Sequence, residues 1–380
     1  MTETRQSVAE ILEKYGPAAG LELPIRPFAT GEHAQGENDP RGVTDATDAS
    51  DLLRARWAAN PFMMAPMAGV SDTAYRLMAR AGGAAVAYSE MVSVAGIHFG
   101  GDKTWELVIP QDPEPDLAVQ LFGSKPEQFR EAAEQVYLRL GKVLALLDIN
   151  MACPVPKVAK KGEGAALMDD PARAYKIVVA CREGIKAASR QLGLPPVPVT
   201  CKIRRGVKTG HELAPVFAEA MEQAGAAAVA VHGRFADQFY RGEADWGTVK
   251  RTTQIVKSIP VIASGDIATP EAAARVMGET GASAVMIARG TYGNPWIFRD
   301  AQRILAGQKP EEHDLTQRLA ALALHVRLLE ATGAHMARAR SLASWYLKGI
   351  PDAAAWRNRA MQCVTADDFL ALIDEVGELA

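Results

Sequence analysis

The stretch Asp148 to Gly164, DINMACPVPKVAKKGEG, packs Asn150, Cys153 and a Cys-Pro step into one short loop after the apolar run Val143–Leu147. Lys157, Lys160 and Lys161 follow, ahead of Gly162 and Gly164. A buried strand that delivers a carboxamide and a thiol at its carboxyl end has the layout of an active-site rim in a parallel-sheet protein. A lone cysteine is otherwise a small packed hydrophobe, and the loop alone leaves both readings open.

Other apolar runs end in polar groups of the same kind. Pro66-Met67-Ala68-Gly69 closes one, and Gln120 closes another. Lys202 and Arg204 end a third, with Arg205 next to them, and His232 and Arg234 end a fourth. Ser264-Gly265-Asp266 and Ala288-Arg289-Gly290 end the last two. So many polar groups at apolar strand ends are costly unless they are paired or bound to a ligand. The glycine turns of the last two runs would offer backbone N–H groups near a helix start, a phosphate cradle to which Arg289 adds charge-assisted bonds. Lys202, His232 and Gln120 would hydrogen-bond the edge of a flat ring supported by the Ala-Pro-Met-Ala-Gly turn. The ligand implied is a phosphorylated aromatic cofactor, with FMN the best fit.

The elements that must position these groups form a rhythm. Apolar runs at 61–67, 84–92, 117–123, 143–150, 197–204, 227–234, 260–266 and 283–290 alternate with helical patterns at 71–81, 126–140, 171–192, 213–224, 248–258, 270–280 and 295–305. Strands buried on both faces read as continuous apolar runs, and β-then-α alternation implies parallel pairing. Such units over roughly 240 residues match a closed (β/α)8 TIM barrel of about 250. A doubly wound open sheet is the runner-up, disfavoured by the number of units and by the lack of a G-x-G-x-x-G turn after the first strand. Three domains are expected: an N-terminal extension (1–60), the barrel (61–311) and a small C-terminal helical bundle (312–380). Within the extension, Ser7–Tyr15 reads as a short helix and Thr30–Asp51 as a polar loop. Arg338, Arg340, Lys348, Arg357 and Arg359 against Asp352 give the middle of the bundle an excess of four positive charges, either a local basic patch or a solvated helix face.

The chain has 380 residues, 48% hydrophobic and 23% charged, ordinary for a globular protein. Its formal net charge of −3 excludes a bulk basic field, so any nucleic acid must be held by a local patch. Four dispersed cysteines without a C-x-x-C pair argue against a zinc site and against a disulfide framework. No metal is expected. No apolar run nears the ~20 residues that span a bilayer, and the first residues lack the apolar core of a signal peptide. A cytoplasmic monomer is expected.

The segments APMAGVSD, VQLFGS, DINMACPVPKV, CKIRRG, HGRFADQFYRGEADW, PVIASGDI and IARGTYGNPWIF together resemble the bacterial tRNA-dihydrouridine synthase family, and are most similar to its B-type enzymes. The resemblance covers residues 61–300, and WYLKGIP extends it more weakly into the helical region, which implies that 312–380 is the family's tRNA-binding bundle. It implies an enzyme in which NADPH reduces bound FMN and hydride passes to C6 of a D-loop uridine in tRNA. The family's catalytic cysteine falls on Cys153, which would protonate C5; a thiol, with an ordinary pKa of about 8.5, is mostly protonated at neutral pH and suits a general acid. The family's cofactor contacts fall on Pro66, Met67, Ala68, Gln120, Lys202, His232, Ser264, Gly265, Asp266, Ala288 and Arg289. Asn150 would orient the uracil or the flavin. The uracil would have to be extruded from folded RNA, held by shape and phosphate contacts. Lys157, Lys160, Lys161, Arg204, Arg205 and Arg234 are the cations expected to meet that RNA.

This chain departs from the family pattern at several points. Ala152, Ser264 and Ala288 are small residues standing where the family more often has Gly, Asn and Gly. Glu163 enters the lysine-rich loop, and Ser341 and Leu342 replace a basic pair before Trp345 and Tyr346. The alternative function is an FMN-dependent barrel oxidoreductase of a small enoyl or pyrimidine substrate, which the basic helices disfavour. A flavin-containing RNA-binding protein without activity is disfavoured by Cys153 in its Asn-x-x-Cys-Pro setting.

Overall fold

The computed structural model describes residues 6–25 and 46–378. Eight strands occur in it: β1 (Phe62–Met64), β2 (Tyr88–Ser93), β3 (Leu117–Phe122), β4 (Leu144–Met151), β5 (Val199–Gly206), β6 (Ala228–Phe235), β7 (Val261–Ser264) and β8 (Ala284–Ile287). Their order is β1-β8-β7-β6-β5-β4-β3-β2, with every pairing parallel. A bridge from Met64 to Ala87 and the bond from Ala85 N–H to the Phe62 carbonyl (2.8 Å) draw the two edges together. The fold is a (β/α)8 TIM barrel.

Local sequence explains the crossovers. Helices Pro126–Leu140, Pro171–Leu192 and Pro270–Thr280 each start with proline, whose fixed φ and missing N–H suit a first helical turn. Asp170 and Thr269 cap two of them by accepting from the N–H groups of Arg173 and Ala272. The β2–β3 connection carries only short turns, Val94–His98, Asp102–Trp105 and Glu106–Val108, and its sequence has no helical period.

The amino end of the barrel holds a correction. The polar stretch read as a loop to Asp51 lies outside the described residues up to 45, but from Ala46 it is helix, Ala46–Ala59. Ala49, Leu53 and Trp57, one stripe of that helix, are buried with Met63, Ala118, Leu146, Ala228, Ile262 and Met286. The lower interior is lined largely by alanine, and this helix fills the space they leave. Ser50 Oγ donates to the Ala227 carbonyl (3.1 Å) just before β6 and fixes the plug.

Four helices end the chain: Leu315–Ala331, Arg338–Tyr346, Ala353–Ala360 and Ala366–Glu378. They dock over the β1, β2 and β8 sector. Trp345 stacks on Tyr292 (3.9 Å, 9°), where Gly293 lets the backbone pass so close that a Cβ would lie 2.8 Å from the Trp345 carbonyl. The N-terminal helix Val8–Tyr15, with a Ser7/Glu10 capping box, packs beside Leu315–Ala331, where Arg327 covers the Tyr15 ring. Trp296 and Arg299 donate to the carbonyls of Ala19 and Gly20 (2.8 and 3.0 Å). The N-terminal segment thus ties barrel and bundle together.

His325 sits in this docking surface, 5.3 Å from the Tyr75 ring and only 2% exposed. Among the described residues neither ring nitrogen has a hydrogen-bond partner, and burial pushes its pKa down to about 3. An unfolded imidazole titrates near ~6.5, so between the two values the unfolded state binds more protons and stability drops as the pH is lowered. His325→Phe keeps the aromatic packing without the titration. Its melting temperature should fall less than the wild type's between about pH 6.5 and 4; parallel curves in calorimetry would refute the coupling.

Candidate active site

Strand register assembles the site. Gln120 pairs with Asp148, Asn150 with Lys202, Arg204 with His232, and His232 with Ser264, one step around the wall each time. These positions lie toward the carboxyl ends of β3 to β7, so Gln120, Asn150, Lys202, His232 and Ser264 share one rim. The turn Pro66–Gly69 after β1 and Ala288–Arg289 after β8 complete it. Gly69 takes φ +76° and its N–H is held by Glu90 Oε2 (2.5 Å), while Ser71 Oγ accepts from Met67 N–H (3.0 Å).

Cys153 follows β4 and is half-buried. Its N–H and that of Ala152 donate to Asn150 Oδ1 (3.0 and 3.2 Å), and Arg204 Nε donates to the Ala152 carbonyl (2.8 Å). Gly164 packs beneath it at φ +61°, where a Cβ would lie 2.7 Å from the Cys153 carbonyl. The lysine-rich loop therefore needs glycine there to seat the cysteine. Lys157, Lys160 and Lys161 are exposed on that loop, and Glu163 is half-buried beside them.

The rim is electropositive. Lys202 is 8% exposed, and its amine has no hydrogen-bond partner among the described residues. Its pKa falls to about 8 through burial and the charge of Arg204, against the pull of Asp148 and Cys153. His232 is held well below its usual value by burial and then by Lys202, Arg204, Arg234 and Arg289, so it is neutral at physiological pH. A lysine amine without a protein partner, a neutral imidazole and Arg289 along one rim suit an anionic, acceptor-rich ligand.

Three cations expected to meet RNA are instead committed to the protein. Arg204 is 3% exposed and donates to the carbonyls of Ala152, Phe235 and Phe239. Arg205 pairs with Glu212 and Asp245 (3.0 and 3.2 Å). Arg234, 2% exposed, grips Asp266 with both arms (2.8 and 2.7 Å). Their positions at strand ends were legible, but the carbonyls and carboxylates that take up their donors come from distant loops. Asp266 also accepts from Arg289 (3.2 Å) and Ala244 N–H (2.8 Å), which sustains its left-handed φ of +54°. In the bundle, Arg338 and Arg340 point inward to protein acceptors, Arg359 pairs with Glu375, and Leu342 is core. Asp148, fully buried between Gln120 and Thr200, was missed by sequence reasoning although it opens the cysteine stretch.

Asp300, Glu311 and His313 also come within ligand distance of one another, outside this rim. Their contacts are filled: His313 bonds Asp300 and Gln317, and Glu311 pairs with Arg299 and Arg303.

The fold defines the class, a TIM barrel, here with a thiol, a buried lysine and a neutral histidine at its carboxyl rim. The family model described as dihydrouridine synthase matches residues 63–378. The chain is 37% identical over 317 residues to tRNA-dihydrouridine synthase B of Xanthomonas axonopodis pv. citri, covering 82% of this chain and 90% of that one. It is 36% identical over 328 residues to the protein of the same name from Pseudomonas aeruginosa, covering 82% and 93%. Likeness to a solved structure is looser: a DHODH from Eimeria tenella shares 15% identity at a TM-score of 0.48 over 65% of this chain and 80% of that chain, so the family rests on sequence. The chain belongs to the dihydrouridine synthase family and is a flavin-dependent oxidoreductase.

Arg338 joins the bundle to the rim through Asp72 (3.1 Å) and Glu90 (2.9 Å), the carboxylate that also holds Gly69. Arg338→Met strands two largely buried carboxylates and should cost roughly 1–3 kcal/mol in chemical denaturation. Adding Glu90→Gln, which keeps an acceptor for Gly69, should recover part of that loss; strict additivity would show that the contact is uncoupled.

Proposed function

We propose that this protein is an NADPH-dependent tRNA-dihydrouridine synthase that uses FMN to reduce the C5–C6 double bond of a D-loop uridine. The observation that carries the reading is the unpartnered amine of Lys202 beside neutral His232 on the rim that bears Cys153. The similarity to proteins named tRNA-dihydrouridine synthase B supports tRNA as the substrate. FMN fits the donors present: Arg289 and the glycine turns of β7 and β8 for its phosphate, Lys202, His232 and Gln120 for its ring, and Pro66–Ala68 beneath. When bound, FMN supplies the hydride that C6 accepts.

The protein's own part is binding and proton delivery. Cys153 gives its thiol proton to C5, which balances the hydride at C6 and leaves a thiolate that solvent reprotonates. Asn150 holds the cysteine backbone. Lys157, Lys160 and Lys161 face RNA phosphate, whereas Arg204, Arg205 and Arg234 hold the loops around the pocket. Of the described residues, no helix is long and apolar enough to cross a membrane.

The direct test is dihydrouridine content, by mass spectrometry, in tRNA from a host that lacks its own synthases and expresses this protein. Restoration at one position confirms the reaction and names the site. No restoration, with flavin bound and NADPH still oxidised, favours the small-substrate oxidoreductase. Cys153→Ala should keep bound flavin and NADPH oxidation but lose tRNA reduction by about 10²-fold or more, the range for losing a general acid. Undiminished tRNA turnover would remove the thiol from the mechanism. Separately, Lys157→Ala/Lys160→Ala should weaken tRNA binding and flatten its salt dependence by about one to two counterions. An unchanged slope would place the RNA elsewhere.

A further inference from the structure

Asp148 lies within the barrel wall, 1% exposed, and a chain of amides runs from it to the cysteine loop. Thr200 Oγ1 donates to its Oδ1 (2.6 Å) and Gln120 Nε2 to its Oδ2 (2.7 Å). Asn150 Nδ2 donates to Gln120 Oε1 (2.7 Å), and Asn150 Oδ1 accepts from the N–H groups of Ala152 and Cys153. Amide orientation is ordinarily an assignment. Here both ends dictate it. Backbone N–H groups can only donate, so Asn150 must turn its oxygen to them and its NH2 to Gln120. A carboxylate can only accept, so Gln120 must turn its NH2 to Asp148. The two demands agree, and every donor in the chain points toward Asp148.

We propose that Asp148 is a positioning residue: as terminal acceptor it sets the direction of the Gln120 and Asn150 amides and thereby seats the backbone of Cys153. Burial raises Asp148 to about 6, opposed by the bonds from Gln120 and Thr200 and by Lys202, so it is ionised at neutral pH. Tyr88, Cys181 and Cys201 are the other titratable groups that feel its charge, and burial raises all three, leaving Asp148 as the negative charge among them. The consequence for turnover rests on Cys153 as the proton donor; the arrangement itself does not.

The chain of bonds has a property that a merely structural contact lacks, because it can be reversed. Asn150→Asp alone puts acceptors at both ends, and Gln120 has one NH2 to serve them. Asp148→Asn combined with Asn150→Asp restores a closed relay in the opposite sense: Gln120 donates to residue 150 and accepts from residue 148, while Thr200 still donates. The readout is the rate at which iodoacetamide alkylates Cys153 in the apoprotein, followed by mass spectrometry in a Cys363→Ser background, together with the melting temperature. Asn150→Asp should raise that rate about tenfold, equivalent to 1.4 kcal/mol of loop destabilisation. The exchange should return to within about twofold of the parent and recover its melting temperature. If the single variant fails to fold, a folded exchange is the same rescue. Additive effects, an exchange as reactive as the single variant, or an exchange that does not fold would each overturn the proposal. Dihydrouridine formation is scored separately, so a failed relay and a wrong reaction are told apart.

Discussion

Closing a parallel sheet on itself removes its edges and leaves alternate side chains of each strand in an interior that must be filled. This chain fills the two ends differently. At the amino end Ala118, Ala145, Ala228 and Ala284 leave space that Leu53 and Trp57 enter from outside the barrel sequence. At the carboxyl end the inward positions become Gln120, Asn150, Lys202 and His232, which packing alone cannot satisfy. Inside the barrel, apolar packing is concentrated at this plug while the upper interior is polar, and the larger apolar core lies between the sheet and its helices.

Charge at that rim is sorted by how completely each cation is satisfied. Arg204 and Arg234 spend their donors on carbonyls and on Asp266, geometry that suits a planar guanidinium fork. Lys202 is a point charge with no such partner among the described residues. Burial and these cations hold His232 well below its usual value, and the neutral ring offers one donor and one acceptor. Asp148 supplies the opposing charge that helps keep Lys202 protonated at neutral pH.

The barrel was legible because strands buried on both faces leave continuous apolar runs, and β4 is buried at every residue. Rim positions followed from where those runs ended. What stayed hidden depended on contacts between distant segments. The stripe Ala49–Leu53–Trp57 sits behind a polar stretch and has meaning only once the barrel's alanine floor is known. Arg234 reads as a surface cation until Asp266, 32 residues on, reaches it. Asp148 reads as an ordinary polar residue at a strand end until Gln120 and Thr200 close around it from the strands on either side.

The position of the bundle constrains how a large substrate approaches. Trp345 and Arg338 cover the β1, β2 and β8 sector, and Arg338 reaches the loop that carries Met67 and Ala68. The exposed lysines follow β4, on the opposite side of the rim. Ser341 is exposed while Leu342 is packed in the bundle core, so a basic side chain at 342 would face the bundle interior. Its replacement by leucine therefore changes packing before it changes the charge offered to RNA. With Arg338, Arg340 and Arg359 already bonded within the protein, the loop Lys157–Lys161 carries the uncommitted positive charge nearest Cys153 in sequence. The bundle and the lysine loop thus flank the rim from opposite sides, with Cys153 on the side of the lysines.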